Sequence, residues 1–344
     1  MKEKIRVILC VTLSLCIATF SVYCVGKSAS GRFSLFESTA LAAAFSTMPS
    51  AKITNIQTPA LTVDEKVINP QNEEKIIRKN SYSNEKTYPI NEITITADDV
   101  SGQNFSIRNT TSFDIDVEKI LDSDLPFEIE DSRQVQVLIV HTHTCESYMS
   151  EDSNCYPESF YPRTTNNELN VYAVGEVIKD KLKQKGIGVV HAKEQHDNPS
   201  YDGAYDRSYD TIQKYLDKYK GIKVVIDLHR DSMTQEDNTK LKPVFEYNGK
   251  KGAQIMIMSG YGGNNSNFPT WEENLNFAVK LQHKCETMYP QMMRPLYFGD
   301  FTYNMNANSG SLLVEFGTDA NTLDEAKYSA ELFANALSEV LQNS

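Results

Sequence analysis

Basic residues are in short supply in this chain. Its 34 lysines and arginines face 46 aspartates and glutamates, giving a formal net charge of −12 and a pI near 5.1. That deficit argues against proteins that grip nucleic-acid phosphates with a basic surface. Cysteine is equally uninformative as a scaffold. Of six, Cys10, Cys16 and Cys24 fall in one apolar stretch, leaving Cys145, Cys155 and Cys285 further on. An odd number cannot pair completely within one chain, so no disulfide framework is implied. Long uncharged apolar runs are absent too, with one exception: residues 7–25, VILCVTLSLCIATFSVYCV.

That exception has the length a bilayer-spanning helix needs, roughly 20 residues. Lys2, Lys4 and Arg6 precede it, so the positive-inside rule places the N-terminus in the cytoplasm and the chain beyond residue 26 outside. The competing reading is a cleaved signal peptide with Ser28, Ala29 and Ser30 as its small-residue site. The run is long for the apolar region of such a peptide, ~7–15 residues, which favours a retained anchor. Lipid attachment at Cys24 is disfavoured by bulky Tyr23, where a small residue is needed. The expected arrangement is an anchor over 1–26, a linker and poorly defined preface over 27–131, and a catalytic domain over 132–344.

Within the linker, residues 33–48 have helical apolar spacing, and residues 51–85 are polar and interrupted by Pro59 and Pro70. Alternation in EITITADD and FDIDVEKIL suggests a few short strands before residue 131. From Gln134 the pattern changes. VQVLIV, IKVVIDL, AQIMIMS and SLLVEF read as strands buried on both faces. Between and after them lie helical spacings over 167–186, 209–219, 270–289 and 322–341. The last opens on Thr322 with Glu325 three positions on, the spacing of a capping box. Such alternation predicts an α/β domain with a mostly parallel sheet flanked by helices. Ligands of such sheets sit at the carboxyl ends of strands.

Three of the four buried strands end in chemistry-bearing residues. VQVLIV is followed by His141-Thr142-His143-Thr144-Cys145-Glu146, IKVVIDL by His229, and SLLVEF carries Glu315 near its end. His143 and Glu146 form a His-x-x-Glu pair, and with the distant His229 they make the three-ligand set of a catalytic zinc with an open fourth position. Glu315 is the candidate carboxylate that takes a proton from the attacking water. Asp227 or Asp231 could orient His229 from behind. Arg230 could bind a substrate carboxylate or oxyanion, and Asn304 or Asn306 a peptide stem, although a salt bridge and turn chemistry explain them as simply. His191 and His196 read as exposed loop residues. Cys145 as a nucleophile partnered by His229 is the competing enzyme reading, and it needs surroundings that stabilise a thiolate.

HTHTCESY, GIGVVHAKEQHDNPSYDGAYDRSY, DLHRDS and SLLVEFGTDANTLDEA, in that order, resemble the stage II sporulation protein P family over residues 135–344. That resemblance implies a membrane-anchored zinc hydrolase of peptidoglycan in spore-forming bacteria. It implies N-acetylmuramoyl-L-alanine amidase activity, endopeptidase activity besides, and action in engulfment alongside the lytic transglycosylase stage II sporulation protein D. The expected location is a single-pass anchor in the cell membrane with the catalytic domain outside the cytoplasm. By similarity to the wider zinc amidases, the first ligand is His143 or His141, the third His229 and the base Glu315. The middle ligand is Glu146 if the close pair operates, or Glu168 if it stands at the start of the following helix. A wall-binding scaffold without turnover is the non-enzymatic alternative.

Overall fold

The computed structural model describes residues 85–96, 106–129, 134–263 and 267–342. The expected anchor, the helix over 33–48 and nearly all of the linker lie outside the described residues. Among the described residues no helix is long and apolar enough to cross a membrane.

In chain order the strands are β1 (Thr87–Ile93), β2 (Ile107–Asn109), β3 (Val135–Val140), β4 (Cys155–Pro157), β5 (Gly188–His191), β6 (Val224–Asp231), β7 (Lys240–Tyr247), β8 (Lys250–Ala253), β9 (Ile255–Gly260), β10 (Leu296–Gly299) and β11 (Ser311–Thr318). The α-helices are α1 (Val117–Asp122), α2 (Val171–Gln184), α3 (Ala204–Lys218), α4 (Trp271–Met288) and α5 (Leu323–Gln342). Seven strands form the main sheet in the order β2-β10-β9-β11-β6-β3-β5, and four form a smaller one, β4-β1-β7-β8.

β3, β6 and β11 are the apolar runs of the sequence, and β6 and β11 are buried along their whole length. Alternation of side chains across the pleat divides them between two cores. Val224, Ile226 and Leu228 join Leu312 and Val314 under α2, α4 and α5. Val225, with Leu138 and Val140 of β3, packs instead with Ile212 of α3. Full burial of each such aliphatic side chain contributes about 1.5–3 kcal/mol.

Every pairing of the main sheet is parallel except that of β11 with β9. The mostly parallel sheet is therefore present, but the strand read from AQIMIMS runs against SLLVEF. β11 lies between β6 and β9 in the sheet, and the chain passes from β6 to β9 through the β7–β8 hairpin of the smaller sheet. That hairpin has no counterpart among the apolar runs, although it carries a strong local signal. Its two-residue turn is Asn248-Gly249, with φ of 50° and 70°, the left-handed pair that an Asn-Gly loop is suited to make. The preface also belongs to the same body of structure. β1 pairs with β4 and β7, and β2 adds to β10 at the edge of the main sheet.

Helix ends follow local chemistry. Asn170 caps α2, its side chain accepting from the Tyr172 N–H. The capping box of α5 is formed in both directions: Thr322 Oγ1 accepts from the Glu325 N–H at 3.1 Å, and Glu325 Oε2 accepts from the Thr322 N–H at 2.9 Å. α3 begins at Ala204, earlier than the apolar spacing suggested, because left-handed Gly203 (φ 77°) starts it and its first turn is polar.

Candidate metal centre

Three peptide segments deliver the site. After β3 the chain folds into a tight turn in which Glu146 N–H donates to His143 O at 3.2 Å. This turn brings the two side chains together, with His143 Nδ1 3.5 Å from Glu146 Oε1. On β6 the two-residue period puts Asp227, His229 and Asp231 on the face opposite Ile226 and Leu228. His229 Nδ1 there lies 3.3 Å from Glu146 Oε2, and its ring crosses that of His143 almost at right angles, 5.1 Å between centroids. One donor atom from each of His143, Glu146 and His229 falls within 4.8 Å of the others, and all three residues are buried. Glu315 is the register partner of His229 on β11. Just beyond it the strand bulges at Gly317 (φ 67°), where a Cβ would lie 2.7 Å from the Ala253 Cβ.

The outer nitrogen of His229 faces Asp227, Nε2 to Oδ1 3.0 Å. Asp227 is itself fixed, accepting from the Thr142 N–H at 2.8 Å and the Thr142 hydroxyl at 2.6 Å. Burial works against charge on His229, but Asp227 and Glu146 outweigh it and raise the imidazole well above its ordinary range. Burial likewise works against charge on Glu146, which His229, His143 and Arg230 nevertheless hold well below the usual carboxylate range. Ionised Glu146 and Asp227 thus flank a single imidazole, a surplus of negative charge that a divalent cation would neutralise. Glu315 differs. Burial pushes its carboxyl up to about 8, Asp231 and Glu146 add to the rise, and His229 and Arg294 oppose it. Its Oε2 is buried without a hydrogen-bond partner.

The other candidates are placed elsewhere. Glu168 is exposed, and its N–H donates to the Asn166 side chain before α2; Glu146 is the acid that stands with the two histidines. His141 points away, Nδ1 donating to Leu228 O at 2.8 Å and Nε2 2.7 Å from His191 Nε2. His191 in turn meets Glu176 at 2.6 Å. Gly175 of α2 lets this pair pack closely, since a Cβ there would lie 2.8 Å from the His191 ring. His196 bonds His141 O and Thr211 Oγ1. His191 and His196 are therefore buried structural residues, not exposed loop histidines.

Asp231 does not touch His229: its carboxylate accepts from Arg294 Nη1 at 2.9 Å and from the Ser232 N–H at 2.7 Å. The Arg230 guanidinium donates to the carbonyls of Ser147, Pro162 and Asp231. That set of bonds clamps backbone, a structural role like the second of the two readings offered for it although its partners are carbonyls, while its N–H donates to Glu146 Oε2 at 3.1 Å. Asn304 (φ 59°) donates to Tyr205 O and Ser208 Oγ, both 2.9 Å, tying its loop to α3. Cys145 is buried, and burial together with Asp197 pushes its thiol up, the reverse of what a nucleophilic thiolate needs. Thr142 and Arg294 hold Asp227 and Asp231; Thr142 lies inside the first motif, and Arg294, remote from every motif, had no sequence signal.

Fold and site together define a mixed α/β protein with a buried two-histidine, one-glutamate cluster at the strand ends. The chain belongs to the stage II sporulation protein P family, whose profile matches residues 38–338. It is 28% identical over 215 residues to stage II sporulation protein P of Bacillus subtilis (strain 168), covering 59% of this chain and 50% of that protein. The chain thus spans about half the length of that curated relative. Among solved structures it is similar to the apo form of the N-acetylmuramyl-L-alanine amidase Ami1 from Mycobacterium abscessus (12% identity, 61% of this chain, 98% of that chain, TM-score 0.35). It is also similar to an N-acetylmuramoyl-L-alanine amidase from Clostridium difficile 630 (14% identity, 61% and 96% coverage, TM-score 0.34).

Proposed function

We propose that this protein is a zinc-dependent peptidoglycan hydrolase that cleaves the amide between N-acetylmuramic acid and the L-alanine of the stem peptide. Endopeptidase action on the stem is its second activity. Membership of the stage II sporulation protein P family supports a role in sporulation. The observation that carries the chemistry is the convergence of His143, Glu146 and His229 within 4.8 Å, beside a buried, unpartnered Glu315 carboxylate oxygen.

The residues fit a zinc ion: two imidazole nitrogens and one carboxylate oxygen are the three-protein-ligand pattern of catalytic sites. Zinc held there would supply a Lewis acid that polarises the amide carbonyl and makes water nucleophilic near neutral pH. Asp227 stands 3.0 Å from the outer nitrogen of His229 as its ion-pair partner, the place carboxylates commonly occupy behind ligating histidines. A cation at the cluster would favour the ionised form of Glu315, and in that form Glu315 accepts a proton from the attacking water as the new C–O bond forms. It then returns that proton to the alanine nitrogen as the C–N bond breaks, leaving a lactyl carboxylic acid and a free amine, which become carboxylate and ammonium as the acid's proton passes to the amine.

The extracytoplasmic, membrane-anchored location and the partnership with the transglycosylase stage II sporulation protein D are part of the same reading. They rest on the charge-flanked run at residues 7–25 and on the family resemblance.

Incubating the purified protein with sacculi tests the activity. The expected products are glycan-free stem peptides with new alanine N-termini, and a chelator abolishes them. Binding to sacculi without any released peptide would mark a scaffold and end the hydrolase reading.

A further inference from the structure

His143 and His229 are held in different ways. His229 has Asp227 against its outer nitrogen. Among the described residues no carboxylate stands in that way behind His143, whose one acidic partner is Glu146, at Nδ1. Rotation about the terminal torsion of histidine is broad and only two-fold in preference, so the aim of this ring has to be set by its neighbours. Two aromatic rings supply that. Tyr201 stacks on His143 with centroids 4.3 Å apart and planes within 18°, and Tyr205 meets it edge-on at 5.4 Å.

Tyr201 is in turn held by a cation. The guanidinium carbon of Arg163 lies 5.0 Å from the ring centroid. Arg163 is ion-paired with Asp197, whose side chain is fully buried, and the Asp197 oxygens accept from the Cys145 N–H at 3.1 and 3.2 Å. The Arg163 backbone bridges to that of Glu146. A closed circuit of contacts therefore runs from Cys145 through Asp197, Arg163 and Tyr201 to His143, with Glu146 bridged to Arg163 along the way.

We propose that Tyr201, backed by Arg163 and Asp197, is a positioning residue for the metal centre that fixes the His143 imidazole so that Nδ1 points into the cluster. Ring stacking stands for His143 where a carboxylate ion pair stands for His229. The inference rests on the reading of His143 as a ligand. A hydroxyl is not what the stack requires, whereas a flat ring is.

The test is zinc binding by the full-length chain, measured by competition with a chromophoric chelator, with the zinc-induced rise in melting temperature as a second readout. Tyr201→Ala and Tyr201→Leu are expected to weaken zinc binding ~10–100-fold, the range seen when partners behind a ligand are removed, and to shrink the zinc-induced rise. Tyr201→Phe should stay within about 2-fold of the parent. Wild-type zinc affinity in Tyr201→Ala overturns the proposal, and so does a Tyr201→Phe loss as large as that of alanine. If the alanine and leucine variants both fail to fold without metal, Tyr201 serves the fold and not the ligand, which also overturns it. A parent protein that binds no zinc would instead sink the metal-centre reading itself, so the two failures are distinguishable.

Discussion

Glu315 and His229 are register partners on adjacent parallel strands, so the carboxyl of one and the imidazole of the other leave the sheet side by side. Strands lie ≈4.8 Å apart, close enough for Glu315 to act on a reactant at the cluster while staying outside it. That separation of roles sets the first expectation. Glu315→Gln keeps size and polarity and removes the base. The variant should fold, hold near-normal zinc and bind sacculi, with turnover reduced ~10²–10⁴-fold. Hydrolysis at the parent rate would eliminate Glu315 as the base.

The second expectation separates ligands from neighbours. His143→Ala, Glu146→Ala and His229→Ala should each lower zinc content measured by elemental analysis of the dialysed protein, and activity with it. Glu168→Ala should leave both unchanged, because Glu168 is exposed at the entry to α2. His141→Ala should keep zinc and lose stability, by about 1–3 kcal/mol for the buried partners it strands. Zinc retained in Glu146→Ala and lost in Glu168→Ala would reverse the assignment of the middle ligand.

How much of the fold and site is legible in the sequence depends on range. The buried strands β3, β6 and β11 announce themselves as apolar runs, and their carboxyl ends bring His143, Glu146, His229 and Glu315 together because one sheet edge serves all of them. Neighbouring alternatives are not separable that way. His141 and His143 differ by two positions, and only the Leu228 carbonyl and His191, 87 and 50 residues away, take His141 out of the cluster. Asp227 and Asp231 flank His229 symmetrically in sequence, and Arg294, on the far side of α4, claims one of them. The role of Tyr201 depends on a loop folding back over the site, which no periodicity encodes. The hairpin at Asn248-Gly249 is the opposite case, a local signal that attention to apolar runs alone passes over.

A third expectation concerns the join between preface and sheet. The Lys242 side chain is completely buried, yet its ammonium group meets Glu92 of β1 at 3.0 Å, Glu325 of α5 at 2.9 Å, and Asp152. Burial works against its charge, and the bonds to Asp152 and Glu325 more than restore it. Those three carboxylates could hold a cation by their spacing alone, and the lysine is the cation they already have. Removing one partner of such a buried group costs about 3–5 kcal/mol. Lys242→Ala should therefore lower the melting temperature by about 6 °C or more while leaving zinc content unchanged. A melting temperature within about 2 °C of the parent would show that water replaces the ammonium group at little cost.

The last expectation is a pH dependence away from the metal. Asp319, buried at the end of β11, accepts from the Tyr156 hydroxyl at 2.7 Å and from Lys240 at 2.8 Å, tying β4 and β7 of the smaller sheet to the main one. Burial would raise its carboxyl, but Lys240 and Arg230, with those hydrogen bonds, hold it below the ordinary value of 3.8. A depressed folded pKa means that the unfolded chain binds the proton more readily. The stabilisation is thus fully present above the ordinary value and is lost as pH falls through the lower, folded one. Asp319→Asn keeps the shape and removes the charge, at a cost of roughly 1.5–3 kcal/mol near neutrality for bonds to a charged group. In urea unfolding the gap between parent and variant should stay constant from neutral pH down to about 5 and then narrow as pH drops below the usual aspartate range. A gap of the same size at every pH down to acid unfolding would mean that the charge of Asp319 contributes nothing, leaving only the shape of its hydrogen bonds to join the two sheets.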